Sequence, residues 1–209
     1  MISKLVSRVL SRFTVWMTAG RRFITIGYLK IRYPSLSMEW DLQLGSRVRF
    51  KIFGSGRIVI GARSAIQDGA VIQADGGIVC LGQDVFIGFN SQIVALERVA
   101  IGADALIAPG CVIRDADHRF DEVGAAIRTQ GHKVHPISIG RDVWLGANVV
   151  VTAGSSIGDG AVIGANAVVT KAIPSYSVAV GIPARVVRNR GSEVAPANLT
   201  VAVEAKSLR

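Results

Sequence analysis

Ile139-Gly-Arg-Asp-Val-Trp-Leu145-Gly-Ala-Asn-Val-Val-Val151-Thr-Ala-Gly-Ser-Ser-Ile157-Gly-Asp-Gly-Ala-Val-Ile163-Gly-Ala-Asn-Ala-Val-Val169 places an aliphatic residue at every sixth position. The same count runs through the preceding chain, at Ile60, Ile66 and Ile72, at Leu81, Ile87 and Ile93, and at Ile101, Ile107 and Ile113. From the last member of one triplet to the first of the next, the steps are 9, 8, 26 and 6 residues. Every insertion therefore falls after a third member. A helix has no use for a period of six broken at one corner. A three-sided parallel β-coil does: each six supplies a short strand and a turn, three complete a circuit, and loops leave along one edge.

The intervening positions agree. Gly follows the aliphatic residue at 61, 82, 88, 102, 140, 146, 158 and 164, which suits a tight corner. Four residues after the aliphatic, most side chains are small or Val, among them Ser64, Ala70, Gly76, Val85, Ser91, Ala105, Cys111 and Val143. A narrow prism interior accepts little else. At 209 residues the chain has room for one domain with appended ends, and 23 Gly with 6% aromatics suit a repeat coil better than a mixed core. Cys80 and Cys111 make no disulfide framework, and Cys111 fills an interior slot. The net charge is +9, and residues 1–38 hold Lys4, Arg8, Arg12, Arg21, Arg22, Lys30 and Arg32 with no acid. Such a balance points to an anionic partner: a phosphate ligand, a nucleic acid or a membrane surface. No dinucleotide fingerprint, Walker A sequence or nucleic-acid-binding module accompanies it, so no nucleic-acid partner is expected.

The coil resembles the hexapeptide-repeat acyltransferases, nearest the sugar and polysaccharide O-acetyltransferases, over roughly residues 44–188. The resemblance implies an all-β fold, a left-handed parallel β-helix, and a homotrimer. Handedness comes from the resemblance alone, since the ordinary crossover rule favours the right hand. The organisation read from the pattern is a basic N-terminal helix and connecting segment over 1–41, the β-helix over 42–180 with loop 114–136 protruding, and a C-terminal segment over 181–209.

Residues 1–18 carry apolar side chains at three- and four-residue steps beside a Lys4, Arg8, Arg12 stripe, the pattern of an amphipathic helix. Those cations interrupt the apolar run and no small-residue cleavage site follows, so neither a signal peptide nor a membrane span is expected. A cytoplasmic protein is expected, with residues 1–18 a candidate for peripheral contact at the inner face of a membrane. Residues 23–33 are apolar and β-rich and end at Pro34. Residues 42–59 read as an irregular capping coil, because eighteen residues before Ile60, Ile66 and Ile72 lie Leu42, Val48 and Gly54, a degraded match. After Arg190 the periodicity is gone, and mobility is expected there.

Acyl transfer to a hydroxyl needs a base, an oxyanion donor and a site that holds both substrates in line. All three histidines, His118, His132 and His135, lie in the long insertion. The resemblance singles out His118, at the root of the loop, as the catalytic base, and leaves His132 and His135 as ordinary loop residues. Asp117, with Asp115, Asp121 or Glu122, could orient the imidazole or bind sugar hydroxyls. Asn90 matches an acceptor-binding Asn. Gly88 stands where a galactoside-type enzyme carries a polar residue, which leaves the acceptor's identity open. On the donor side the resemblance implies acetyl-CoA. By the same resemblance Trp144 matches a tryptophan that lines the acetyl and pantetheine channel, the Ala147 N–H matches the oxyanion donor, and Gly146 and Ala165 match positions where the pantetheine arm runs near the backbone. Thr170, Lys171 and Arg185 lie near the adenine nucleotide end, with Arg188 a less secure fourth.

The expected activity is acetyl-CoA-dependent O-acetylation of a sugar or saccharide, in cell-surface polysaccharide synthesis, without a metal. N-acetylation of an amino sugar or xenobiotic and an inactive scaffold are the alternatives. A zinc carbonic anhydrase would want its histidines one or two circuits apart on the coil, not together in one loop.

Overall fold

The computed structural model describes residues 23–191. Those residues form a parallel β-solenoid of three sheets, which wind as three faces of a prism. The first face stacks Leu36–Met38, Arg57–Ile60, Ile78–Leu81, Arg98–Ile101, Ile137–Ile139 and Ser156–Ile157. The second begins at Gln43–Leu44 and passes through Ala65–Ile66, Phe86–Ile87, Leu106–Ile107, Trp144–Leu145 and Val162–Ile163 to Ser177–Val180. The third runs from Arg49–Phe53 to Val168–Val169. Each six is one strand and one turn, as the spacing predicts.

The aliphatic residues stack in register along the interior. Ile60 pairs with Leu81, Leu81 with Ile101, Ile101 with Ile139 and Ile139 with Ile157. All are at most 3% exposed. Burying such a side chain is worth about 1.5–3 kcal/mol, so each column stabilises the turns it joins. Ser64, Ala70, Ser91, Ala105, Cys111, Ala161 and Ala167 fill the corners between columns and are fully buried. Gly76, placed with them by its spacing, lies exposed at a corner where the chain inserts extra residues.

The corner glycines have a different cause from the one their position suggests. The left-handed residue of a turn sits three after the aliphatic, as at Asp84, Asn90, Asp104, Asn148 and Asn166. Asp and Asn tolerate this conformation better than most side chains. The Gly directly after the aliphatic is instead required by the next turn of the coil. A Cβ on Gly102 would stand 2.6 Å from the carbonyl carbon of Gly140 and 2.7 Å from the Arg141 nitrogen. Backbone cannot yield as a side chain can. Gly102→Ala is therefore expected to destabilise the protein by about 1–3 kcal/mol, read as a lowered thermal midpoint.

Two parts of the sequence reading are corrected. Residues 23–32 are helical, not β. The helix packs fully buried Ile26, with part-buried Leu29 and Tyr33, against the core. That spacing of three and four is a helical stripe, and its packing overrides the weak helix propensity of Ile and Thr. Residues 36–53 are a full turn of the coil, not an irregular cap. Its partners lie twenty-two residues before the next turn: Met38 pairs with Ile60, Leu44 with Ile66 and Phe50 with Ile72. Met38, Leu44 and Phe50 are themselves six apart, and the added length falls at the usual corner.

At the other end the winding continues past Pro174. Ile173 bridges to Ile157, and Ala179 pairs with Ile163. The strand Arg185–Asn189 then folds back antiparallel on Ser177–Val180. The expectations for residues 1–18 and for the tail beyond 191 lie outside the described residues.

Candidate active site

The insertion leaves the third face after Val112–Arg114 and turns into a hairpin, Ala116–His118 against His132–Val134. Its register sets Ala116 opposite Val134, Asp117 opposite Lys133 and His118 opposite His132. The imidazoles of His118 and His132 lie face to face, with ring centroids 4.4 Å apart and planes tilted by 37°. Both residues are exposed. His132, read from sequence as an ordinary loop residue, thus flanks the candidate base. Among the described residues no three His, Cys, Asp or Glu side chains converge as a metal site.

Asp115 does not face the imidazole or a ligand. It is fully buried. Its carboxylate accepts hydrogen bonds from the backbone N–H groups of Leu96, Glu97 and Arg98, each at 2.8 Å. Its carbonyl accepts from His135 N–H at 2.9 Å, and the His135 carbonyl accepts from Gly154 N–H at 3.0 Å. Asp115 therefore clasps both roots of the insertion to the coil. Asp117, Asp121 and Glu122 are exposed.

Four donor-side candidates, Trp144, Gly146, Ala147 and Ala165, gather at the second-to-third-face corner. Trp144 lies on the second face between Leu106 and Val162 and projects outward, 52% exposed. Gly146 and Ala147 follow directly. The Cys111 thiol, buried in the prism, donates to the Gly146 carbonyl at 3.2 Å. Burial pushes this thiol above its ordinary range. Because the peptide is trans and planar, a Gly146 carbonyl drawn inward turns the Ala147 N–H outward. That N–H has no acceptor among the described residues. Gly146 must be Gly, since a Cβ there would meet the Ala165 nitrogen at 2.6 Å.

Ala165 and Asn90 occupy the same corner, one turn after and two turns before Ala147. Asn90 takes the left-handed turn position with φ 56°. Asn148 and Asn166, in the equivalent positions, bond to each other at 3.2 Å. The backbone role accounts for Asn90 without a ligand.

Arg185 opens the returning strand near this corner, tied there by Ala184 N–H to the Val168 carbonyl at 2.8 Å. Thr170 and Lys171 leave the third face at the opposite corner, the one from which the His118 hairpin departs. Arg190 is paired with Asp142 at 2.6 Å. Lys171, Arg185 and Arg188 are exposed and have no acidic partner among the described residues. Within one chain the third face separates His118 from Trp144 and Ala147.

Residues 136–171 match the family described as bacterial transferase hexapeptide (six repeats), and residues 78–115 match the hexapeptide repeat of succinyl-transferase. The chain is similar to a probable acetyltransferase, Rv3034c, of Mycobacterium tuberculosis, 42% identical over 84% of this chain and 61% of that protein. It is also similar to galactoside O-acetyltransferase of Escherichia coli, 40% identical over 54% of this chain and 55% of that protein. It spans less than two thirds of the length of these relatives.

Among solved structures, a maltose O-acetyltransferase from Clostridium difficile 630 superposes with a TM-score of 0.52 and 25% identity, over 77% of this chain and 73% of that one. AntD, an N-acyltransferase from Bacillus cereus solved with dTDP and 3-hydroxybutyryl-CoA, shares the fold at a TM-score of 0.61 and 19% identity, over 77% and 87% of the two chains. Two stretches of the chain match hexapeptide-repeat family models, and its repeats fit the left-handed β-helix expected from the resemblance.

Proposed function

We propose that this protein is an acetyl-CoA-dependent O-acetyltransferase acting on a sugar or saccharide hydroxyl. The observation that carries the reading is the outward Ala147 N–H, turned by the inward Gly146 carbonyl and standing beside the exposed Trp144 indole. A coil of small residues has no structural need for an outward tryptophan, whereas a thioester arm supplies the apolar partner an indole seeks. Acetyltransferases among the relatives support the donor.

In the proposed reaction His118 removes the acceptor's hydroxyl proton as the oxygen attacks the thioester carbonyl carbon. The Ala147 N–H stabilises the resulting oxyanion. The C–S bond then breaks, and the CoA thiolate leaves with the proton held by His118. Atoms and charge balance without an acyl-enzyme or a metal. Asp117 is proposed to contact the acceptor. Lys171 and Arg185 would pair with the phosphates of CoA as point and forked cations.

Since one chain holds His118 and Trp144 on opposite sides of its third face, the reaction requires a second copy. We propose a homotrimer, in which the hairpin of one subunit meets the Trp144 corner of the next. A head-to-tail contact that closes into a ring gives three equivalent sites.

Calorimetric titration with acetyl-CoA, beside dephospho-CoA, tests the donor site without knowledge of the acceptor. Binding weakened by loss of the 3′-phosphate is expected, and absence of binding at millimolar ligand would remove the proposal. Trp144→Ala is expected to raise the Kd for acetyl-CoA about tenfold. Its thermal midpoint should stay near wild type, because the indole is half exposed. Product stability in mild base separates an ester from the amide of an N-acetyltransferase.

A further inference from the structure

The helix 23–32 has two apolar stripes. Ile26, Leu29 and Tyr33 turn inward against the core. Ile24, Tyr28 and Ile31, spaced by four and three, lie on the other side and are 74%, 63% and 83% exposed. A helix that only closed the end of a solenoid would carry a polar outer face. This one leaves two isoleucines and a tyrosine in water.

Charge indicates what covers them. Residues 1–57 hold eleven of the 24 Lys and Arg but only two of the 15 acids, Glu39 and Asp41. The remaining 152 residues are balanced, so the whole net charge of +9 is carried by residues 1–57 of the sequence. Among the described residues Arg32 flanks the stripe, Arg47, Arg49 and Lys51 are exposed on the first turn of the coil, and Arg57 is exposed at the start of the second. Lys30 lies over the ring of Trp40 at 4.7 Å, and the Phe23 ring is 5.9 Å from the same indole. An exposed apolar stripe in a cation-rich segment whose Arg32, Arg47, Arg49 and Lys51 have no ion pair among the described residues matches the layering of an anionic bilayer surface, with its hydrocarbon edge beneath a negative headgroup plane.

We propose that the protein docks on anionic lipid through this helix. Ile24, Tyr28 and Ile31 enter the interface, and Arg32 and the cations of the first turn meet the headgroups. Residues 1–18, with their Lys4, Arg8 and Arg12 stripe, precede this surface in the chain and add charge of the same sign. The proposal is independent of the acyl-transfer reading.

Flotation of the full chain at physiological salt tests it, with phosphatidylcholine vesicles beside vesicles containing phosphatidylglycerol. The protein is expected to float with the anionic vesicles and not with the neutral ones, and to be released as salt is raised. The triple variant Ile24→Ser, Tyr28→Ser, Ile31→Ser should lose about tenfold in bound fraction. Its thermal midpoint should stand, because all three side chains project into solvent. Arg32→Glu should weaken binding without changing the fold. Failure of the wild type to float on anionic vesicles overturns the proposal. So does equal flotation of the triple variant, which would leave binding to residues 1–18 alone. A shift of the triple variant to a smaller assembly would instead make the stripe a contact between copies and would equally overturn it.

Discussion

His118→Ala is expected to lower kcat/KM for acetyl transfer by roughly 10²- to 10⁴-fold, the usual contribution of a positioned general base. Its acetyl-CoA affinity should be unchanged, since the base acts on the acceptor's hydroxyl and holds no part of the donor. The side chain is exposed, so the fold should not suffer. These three outcomes together separate a lost base from a lost scaffold. A variant within about twofold of wild type would remove His118 from the mechanism, because the loss of any real base exceeds that.

Mixing offers a second reading of the same substitution. At acetyl-CoA well below its Kd, His118→Ala subunits alone should support almost no activity, and Trp144→Ala subunits alone about a tenth of wild type. Co-refolded at equal amounts, they should regain up to about a quarter of the wild-type sites if each site takes its histidine from one subunit and its tryptophan from the next. A site built within a single chain would regain none.

The solenoid was legible because its interior repeats. Each turn gives Ile, Leu or Val the same neighbours above and below, so one physical requirement is written many times. Where a turn departs from the common length, the pattern survives but its alignment does not. Met38, Leu44 and Phe50 keep the step of six, yet sit twenty-two rather than eighteen residues before their partners. Ile-Thr-Ile within 23–32 reads locally as strand, and only the packing of Ile26 and Leu29 on the first turn makes it helix.

The outward Trp144 was readable because it breaks a run of small residues. The pairing of His118 with His132 was not, since thirteen intervening residues give no fixed register. The inward carbonyl of Gly146 was equally hidden, because Cys111 reaches it across thirty-five residues. Asp115 and Asp117 look alike in a charged loop, and only the coil beneath tells them apart.

That difference sets the largest expected effect on stability. Asp115→Ala removes an acceptor that three backbone N–H groups share, and the carboxylate is fully buried. The amides of Leu96, Glu97 and Arg98 cannot find replacement partners without opening the corner. Hydrogen bonds to a charged acceptor are among the stronger ones, and buried donors left unpaired are costly, so a loss on the order of 3–5 kcal/mol is expected. For a chain of this size that corresponds to a fall of roughly 10 °C in Tm. Asp115→Asn keeps one carbonyl acceptor and should fall between. Asp117→Asn, in the exposed position two residues on, should change Tm by no more than about 1 °C. The two roots of the insertion meet at Asp115, so its loss should also expose loop 114–136 to protease and lower acetyl transfer, though its carboxylate faces the coil and not the reactants. If Asp115→Ala melted with the wild type, the three amides would have to be satisfied otherwise, and the clasp would not hold the hairpin that carries His118.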